Sequence, residues 1–255
     1  MSAAQPEAST ALDRAYFENL ARFSDVHWWH VARRELAAQA LDGRVSPGSV
    51  ALDAGCGIGA TLPVLRSLGA GAVLGVEPSF DACRIASANG TASVVCGIAE
   101  RLPLADSSVS VVVSMDVVEH LIDDAAALAD YARVLAPGGI VMLQVPAYRW
   151  LWSAHDDLVG HRRRYTARQL RSVARRAGLR VETSTYYNAW LLPLAALIRR
   201  TPLQRLIKDS GESASYVNPR INRVLLALSR FERWLLRRFR LPFGVSILLV
   251  ATKPA

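Results

Sequence analysis

A chain of 255 residues, 51% of them apolar, can bury one full core and carry an appendage. No apolar run reaches the roughly 18 to 20 residues needed to cross a bilayer, and the longest stretch, residues 189–198, contains Pro193. The net charge of +8 is unevenly spread: residues 1–160 hold 10 Arg against 18 acidic residues, whereas 161–255 hold 20 basic residues against 4 acidic ones.

That division suits a C-terminal part turned toward something anionic, or an arginine-rich face in solvent. Cys56, Cys83 and Cys96 are an odd set with no CxxC or Cys/His metal spacing. No basic segment followed by an apolar one opens the chain, so the cysteines are expected as buried free thiols in a cytoplasmic setting.

In chain order, residues 8–41 are expected to be helical and carry His27-Trp28-Trp29-His30 just before Arg33 and Arg34. From Val50 onward, apolar β-branched runs alternate with helical patterns, as in a parallel sheet with crossover helices. Strands are predicted at 50–54, 73–77, 93–96, 109–114, 140–145, 181–186 and 246–252. Helices are predicted at 61–68, 80–88, 123–134 and 167–177, the last with Thr166 as N-cap and Gly178 as its C′ residue. Between the last two strands lies an insertion. Within it Ile221, Val224, Leu225, Leu228, Phe231, Leu235 and Phe239 recur at helical spacing, with arginines on another face. A basic amphipathic helix of this kind either lies in a bilayer interface or packs on the domain with its basic side in water.

The first strand runs into Asp53-Ala54-Gly55-Cys56-Gly57-Ile58-Gly59, a glycine turn that opens a helix. Such glycines let backbone approach a ligand closely. The second strand ends on Glu77-Pro78, where a carboxylate can accept both hydroxyls of a ribose. Further on come Ala99-Glu100-Arg101-Leu102-Pro103, then Asp116, Glu119 and His120, then Leu135-Ala136-Pro137-Gly138-Gly139.

In this order of motifs, over roughly residues 45–190, the chain resembles the class I S-adenosylmethionine-dependent methyltransferases, type 11 in particular. The resemblance implies an α/β, Rossmann-like sheet of seven strands, mostly parallel with the last antiparallel, and helices on both faces. It implies S-adenosylmethionine as cofactor and S-adenosylhomocysteine as product. Its binding residues are expected to be Asp53, Gly55, Cys56, Gly57, Gly59, Glu77, Pro78, Ala99, Asp116 and His120. The chain departs from the family pattern at Ile98, where an adenine-reading Asp is common, and at Val109-Ser110, where Phe-Asp is common. The expected division is an N-terminal helical lid at 1–44, the cofactor-binding core at 45–188, a helical insertion at 189–244 facing substrate or membrane, and the last core strand at 245–255.

A second cluster follows the fifth strand: Tyr148, Trp150, Trp152, His155, His161, Arg162-Arg163-Arg164 and Tyr165. In a doubly wound sheet this loop leaves the carboxyl edge, where ligands sit. His155 or His161 is a candidate to deprotonate an acceptor hydroxyl, with Tyr165 as a third catalytic candidate. Trp28, Trp29, Trp150 and Trp152 are candidates to shape an apolar pocket, and Arg162 to Arg164, Arg163 above all, to hold an anionic group. No metal is expected, because the histidines lack coordinating spacing.

The leading expectation is methyl transfer, to oxygen or carbon, onto an apolar small molecule, lipid-linked or isoprenoid, bearing an anionic group. A soluble natural product is the alternative acceptor. Peripheral membrane contact is expected through 219–240; nucleic acid is not expected, since no RNA-binding module is recognised and the aromatics are not interleaved with the basic stripe. Two readings from other classes compete. Gly55, Gly57 and Ala60 also satisfy a loose dinucleotide fingerprint, which would suit an NAD-dependent oxidoreductase. The other is a non-catalytic adaptor on the same fold.

Overall fold

The computed structural model describes residues 14–200 and 217–255. Residues 8–13 of the expected first helix and 201–216 of the insertion lie outside them. Seven strands form one sheet in the order β3-β2-β1-β4-β5-β7-β6. They are β1 (Val50–Ala54), β2 (Ala72–Glu77), β3 (Ser93–Cys96), β4 (Val109–Met115), β5 (Leu135–Pro146), β6 (Arg180–Tyr187) and β7 (Ser246–Thr252). Neighbours pair in parallel from β3 through β5, and β7 alone runs antiparallel, inserted between β5 and β6. The order reverses at β1, so the ends of β1 and β4 open a crevice there.

The helices are α1 (Arg14–Phe23), α2 (Trp28–Leu41), α3 (Leu62–Ser67), α4 (Phe80–Ala88), α5 (Asp124–Val134), α6 (Ala154–Leu158), α7 (Ala167–Arg176), α8 (Leu192–Arg200) and α9 (Pro219–Leu236). Because the central strands are apolar almost without break, both faces of the sheet must be covered. On one face α5 and α7 bury Tyr131 and Leu170 against Leu143 and Leu249. On the other, α2, α3 and the end of α9 bury Leu41, Leu65 and Leu236 against Val111 and Met142. A smaller cluster joins Phe17 of α1 to Ala82 of α4 and Ile58 of the glycine turn.

Local signals fall where the sequence puts them. The Thr166 side chain accepts from the Gln169 amide and Gln169 bonds back, a capping box, while Gly178 beyond the helix end has φ +81°. One element is longer than expected. β5 begins at Leu135, not Ile140, because the Pro-Gly-Gly segment stays inside the ladder as a bulge: the β4–β5 register shifts between Val109 and Val111. Lys253 holds it there, donating its amide to the Gly139 carbonyl and accepting from the Gly138 amide.

Candidate active site

The glycine turn is fixed by β2. The amides of Gly55 and Cys56 both donate to the Val76 carbonyl, at 2.7 and 3.1 Å. Gly55 has φ +83°, and a Cβ there would collide with the Val117 side chain. Gly57 has φ +53° but faces open space, with nothing within 4 Å of where a Cβ would stand. The first glycine is thus needed for packing, and the second leaves backbone bare toward the crevice.

Glu77 ends β2 with its carboxylate held in place, accepting from the Gly57 amide at 3.0 Å and the Ser79 amide at 3.0 Å. Burial raises its pKa, while those two amides pull the other way. Asp53 is 2% exposed. Burial, then the neighbouring Glu77, pushes its pKa up to about 7 against the opposing pull of Arg33. Pro78 is exposed beside Glu77, Cys56 and Ala99 are buried, and Gly59 packs on Ala86 of α4. The Leu102-Pro103 turn is anchored from α5, where Asp130 accepts from the Leu102 amide and Arg133 donates to the Leu102 and Leu104 carbonyls. Of the cysteines, Cys56 and Cys83 are buried as expected and Cys96 is exposed, because β3 is the edge strand.

Strain concentrates at the same edge of the sheet. Asp116, Tyr148 and Asn188 follow β4, β5 and β6, and each is a non-glycine residue with positive φ, 53°, 57° and 55°. Such conformations persist only where surrounding structure imposes them. Asp116 is held by an ion pair to Arg33 of α2, 2.6 Å away, so the N-terminal helix reaches over the crevice. Asp53, Glu77, Asp116 and Glu119 line this edge, and Arg33 stands among them.

The arginine run is bonded within the protein. Arg163 donates to the Leu121 and Ile122 carbonyls and pairs with Asp124. Arg162 donates its amide to the Glu119 carbonyl and its side chain to the His120 carbonyl. Arg164 grips both oxygens of Asp156, at 2.7 and 3.0 Å. All three clamp the 116–124 loop or α6; Arg162 and Arg163 do so through partners some 40 residues upstream that no local pattern reveals. Tyr165 is bonded likewise. It is 3% exposed and its hydroxyl donates to Asp124 at 2.7 Å, so it ties the loop to α5.

The clamp gathers three residues that the spacing rules had kept apart. Glu119, His120 and His161 offer ligand atoms all within 4.8 Å of one another. His161 meets Asp156 through Nδ1 at 2.7 Å and points Nε2 at Glu119, 3.8 Å away. Burial works to raise the Asp156 pKa, but the hydrogen bonds from His161 and Arg164 outweigh it and hold the carboxyl well below its ordinary range. Burial and then His161 lower His120 to about 4. Burial, reinforced by Asp116, raises Glu119 well above the usual carboxylate value. His155 on α6 is partly buried, its ring 6.4 Å from that of His161.

The tryptophans divide. Trp28 is buried at the start of α2, against Trp29 and Trp190. Trp29 lines a cleft with Arg33, Tyr187, Asn188, Glu232 and Arg233. Trp152 stays near the loop and donates to Asp157 at 2.9 Å. Over this cleft α9 packs on α2 by its polar side: Ser229 and Glu232 are buried, Glu232 accepts from the Asn188 and Ala189 amides, and Arg230 pairs with Glu35. Ile221, Val224, Leu228, Phe231 and Trp234 consequently face outward and are exposed. The basic side is in solvent as expected, with Arg223, Arg230, Arg237 and Arg240 exposed; the apolar stripe is exposed as well, where packing on the domain would have covered it. No helix among the described residues is long and apolar enough to cross a membrane.

Comparison with known proteins agrees with this frame. Residues 52–143 match the family described as "Methyltransferase domain". A probable S-adenosylmethionine-dependent methyltransferase of Mycolicibacterium smegmatis is 30% identical over 195 residues, covering 72% of this chain and 74% of that protein. A ubiquinone biosynthesis O-methyltransferase of Parvibaculum lavamentivorans is 31% identical over 135 residues, 50% of this chain and 53% of its own length. Among solved structures, a chain in the complex of the Haloferax volcanii Trm112 methyltransferase activator with the putative methyltransferase superposes with a TM-score of 0.63. It is 23% identical and covers 99% of this chain and 100% of that one, a likeness of fold.

Proposed function

We propose that this chain, which belongs to the S-adenosylmethionine-dependent methyltransferases, moves the methyl group to a hydroxyl of an apolar small molecule of isoprenoid or lipid-linked type. Membership of that family sets aside the NAD-dependent oxidoreductase reading. S-adenosylmethionine supplies an activated methyl on a sulfonium, so the protein mainly has to align donor and acceptor, which alone is worth about 7 to 11 kcal/mol in favourable cases.

The residues suit that cofactor. Glu77, fixed by two amides, offers its free lone pairs to a ribose diol. The bare backbone at Gly57 leaves room for the ligand beside it. The ammonium and sulfonium charges match an edge carrying Asp53 and Asp116, and Arg33 is the complement for the carboxylate. His155, on α6 with its ring 6.4 Å from that of His161, is the loop histidine we assign to take the acceptor proton. On that assignment His155→Ala lowers kcat by about 10²-fold or more and leaves the affinity for S-adenosylhomocysteine unchanged. Unchanged turnover would withdraw the assignment.

The acceptor class rests on one observation, the outward apolar stripe of α9 beside the Trp29 cleft. A contiguous exposed apolar face marks an interaction site, and its flanking arginines suit an anionic group or an anionic membrane surface. The O-methyltransferase relative is named for ubiquinone biosynthesis, which favours oxygen as the accepting atom. The test is incubation with methyl-labelled S-adenosylmethionine and extract of the source cells, followed by partition between organic solvent and water. Label in the organic phase is expected. Label confined to the aqueous phase favours a soluble acceptor and removes the lipid reading.

A further inference from the structure

Glu119 is completely buried, and neither of its carboxylate oxygens has a hydrogen-bond partner. A buried carboxylate without partners is costly, and a native protein that keeps one needs a reason. The surroundings supply one. His120 and His161 turn ring nitrogens toward the same point, all three ligand atoms within 4.8 Å of one another. An ion bound at about 2.0 to 2.2 Å from each donor needs them about 3 to 4 Å apart; His161 Nε2 and Glu119 Oε1 already stand at 3.8 Å. A modest torsion of the side chains closes the rest.

The outer shell has the form that metal histidines require. A ligating imidazole donates its other N–H to a carboxylate or carbonyl, which fixes the ring and its tautomer. His161 meets Asp156 through Nδ1 at 2.7 Å, and Asp156 is held in turn by Arg164 and the Ser153 amide. His161 therefore has one nitrogen anchored outward and the other aimed inward at Glu119, and the His120 ring packs edge-on against it, 4.7 Å between centroids.

We infer that Glu119, His120 and His161 bind one divalent transition-metal ion, of the zinc class that two imidazoles and a carboxylate favour. With three protein ligands a fourth position stays open. The cluster adjoins the acidic edge at Asp116, which Arg33 pairs at 2.6 Å. A hydroxyl bound at the open position loses its proton more readily, as metal-bound water does; this last step rests on the oxygen-acceptor reading above.

Metal retention tests the site without any acceptor. The full chain is loaded with Zn²⁺, or with Co²⁺ as a spectroscopic stand-in, then freed of excess metal by gel filtration. About one ion per chain is expected, with visible Co²⁺ bands of a low-coordinate site. Glu119→Gln and His161→Ala are each expected to reduce retention about tenfold or more, while both still bind S-adenosylhomocysteine, which shows that they fold. His27→Asn, which keeps a capping side chain at the start of α2 far along the chain from the cluster, controls for stray histidine binding. Negligible retention by the wild-type chain, or retention by both variants equal to that of the wild type, overturns the proposal. Either failure leaves the organic-phase label untouched, and loss of that label leaves the metal count untouched, so the two readings fall separately.

Discussion

The crevice has two walls built by different means. The cofactor wall, from β1 to the Leu102-Pro103 turn, is shaped by backbone: Gly55 and Cys56 hang from one carbonyl of β2, and Glu77 is oriented by amides within 20 residues of it. The wall proposed for the acceptor, from Asp116 to Tyr165, is shaped by side chains: Arg162, Arg163 and Tyr165 join segments about 40 residues apart, and Arg164 ties in Asp156, eight residues away. A wall made of turns tolerates most side-chain changes and fails at its glycines. A wall made of buried ion pairs fails when one partner is removed.

The sharpest way to break the acceptor wall is Arg164→Met. Asp156 is fully buried and Arg164 nearly so, and the substitution leaves a buried carboxylate with its remaining partners only. Removing one partner of such a pair costs about 3 to 5 kcal/mol, read as a lower urea midpoint at unchanged slope. A loss under about 1 kcal/mol, the range of an exposed pair, would mean that the loop is not held by this clamp.

The glycine wall gives the complementary pair. Gly55→Ala forces a Cβ against Val117 at a positive φ and should destabilise the fold by about 2 to 4 kcal/mol. Gly57→Ala meets no protein atom, so its stability cost is smaller, about 1 to 2 kcal/mol of backbone strain. Its effect falls on S-adenosylhomocysteine, whose affinity drops more than stability does. Equal affinity for Gly57→Ala and wild type would show that the open space is not the cofactor's.

These contrasts also explain what the sequence could disclose. A glycine turn, an acid at the next strand end and a capped helix are written in consecutive residues, so those elements were legible, and the family resemblance they carry implied the seven-stranded sheet with its antiparallel last strand; the strand order was not read. The start of β5 was not legible either, since the Pro-Gly-Gly segment stays in the ladder through its contacts with Lys253, more than a hundred residues away. Arg163 and Tyr165 read as ligand-facing because arginine runs and tyrosines on carboxyl-edge loops often are. Nothing nearby in sequence announces Leu121 or Asp124 as their partners. Glu119, His120 and His161 were each read singly, but their meeting in one cluster escaped for the same reason: spacing rules test a single element, and here two loops meet.

Acidity sharpens the comparison at smaller scale. Asp53 is faced by Glu77 and Arg33, with Cys56 and Tyr131 also within its field. Its pKa, raised to about 7 from 3.8, means that the folded chain takes up a proton the unfolded chain lacks between those values. That protonation stabilises the free enzyme at low pH, and the contribution is lost as pH rises through about 7. The ammonium of the ligand prefers the ionised form, so S-adenosylhomocysteine should bind about tenfold more weakly per pH unit below that pKa and level off above it. Calorimetry on wild type and Asp53→Asn checks this: the variant's profile should be flat over that limb, and an unchanged slope would move the dependence to another group.

The smallest expected effect on stability tests the largest functional claim. Phe231 and Trp234 are 59% and 60% exposed and stack on each other on the outer side of α9, so replacing both by Asp removes little packing. Surface changes of this kind stay within about 0.5 kcal/mol. An acceptor, or a membrane presenting it, that docks on the stripe would lose the burial of two aromatic side chains, each worth about 1.5 to 3 kcal/mol when fully covered. KM for an acceptor with a long apolar chain should therefore rise at least tenfold, while KM for S-adenosylmethionine and the rate on a chain-shortened acceptor stay level. If both acceptors respond alike, the stripe serves neither lipid nor membrane, and the acceptor wall must be sought wholly between α2 and the clamped loops.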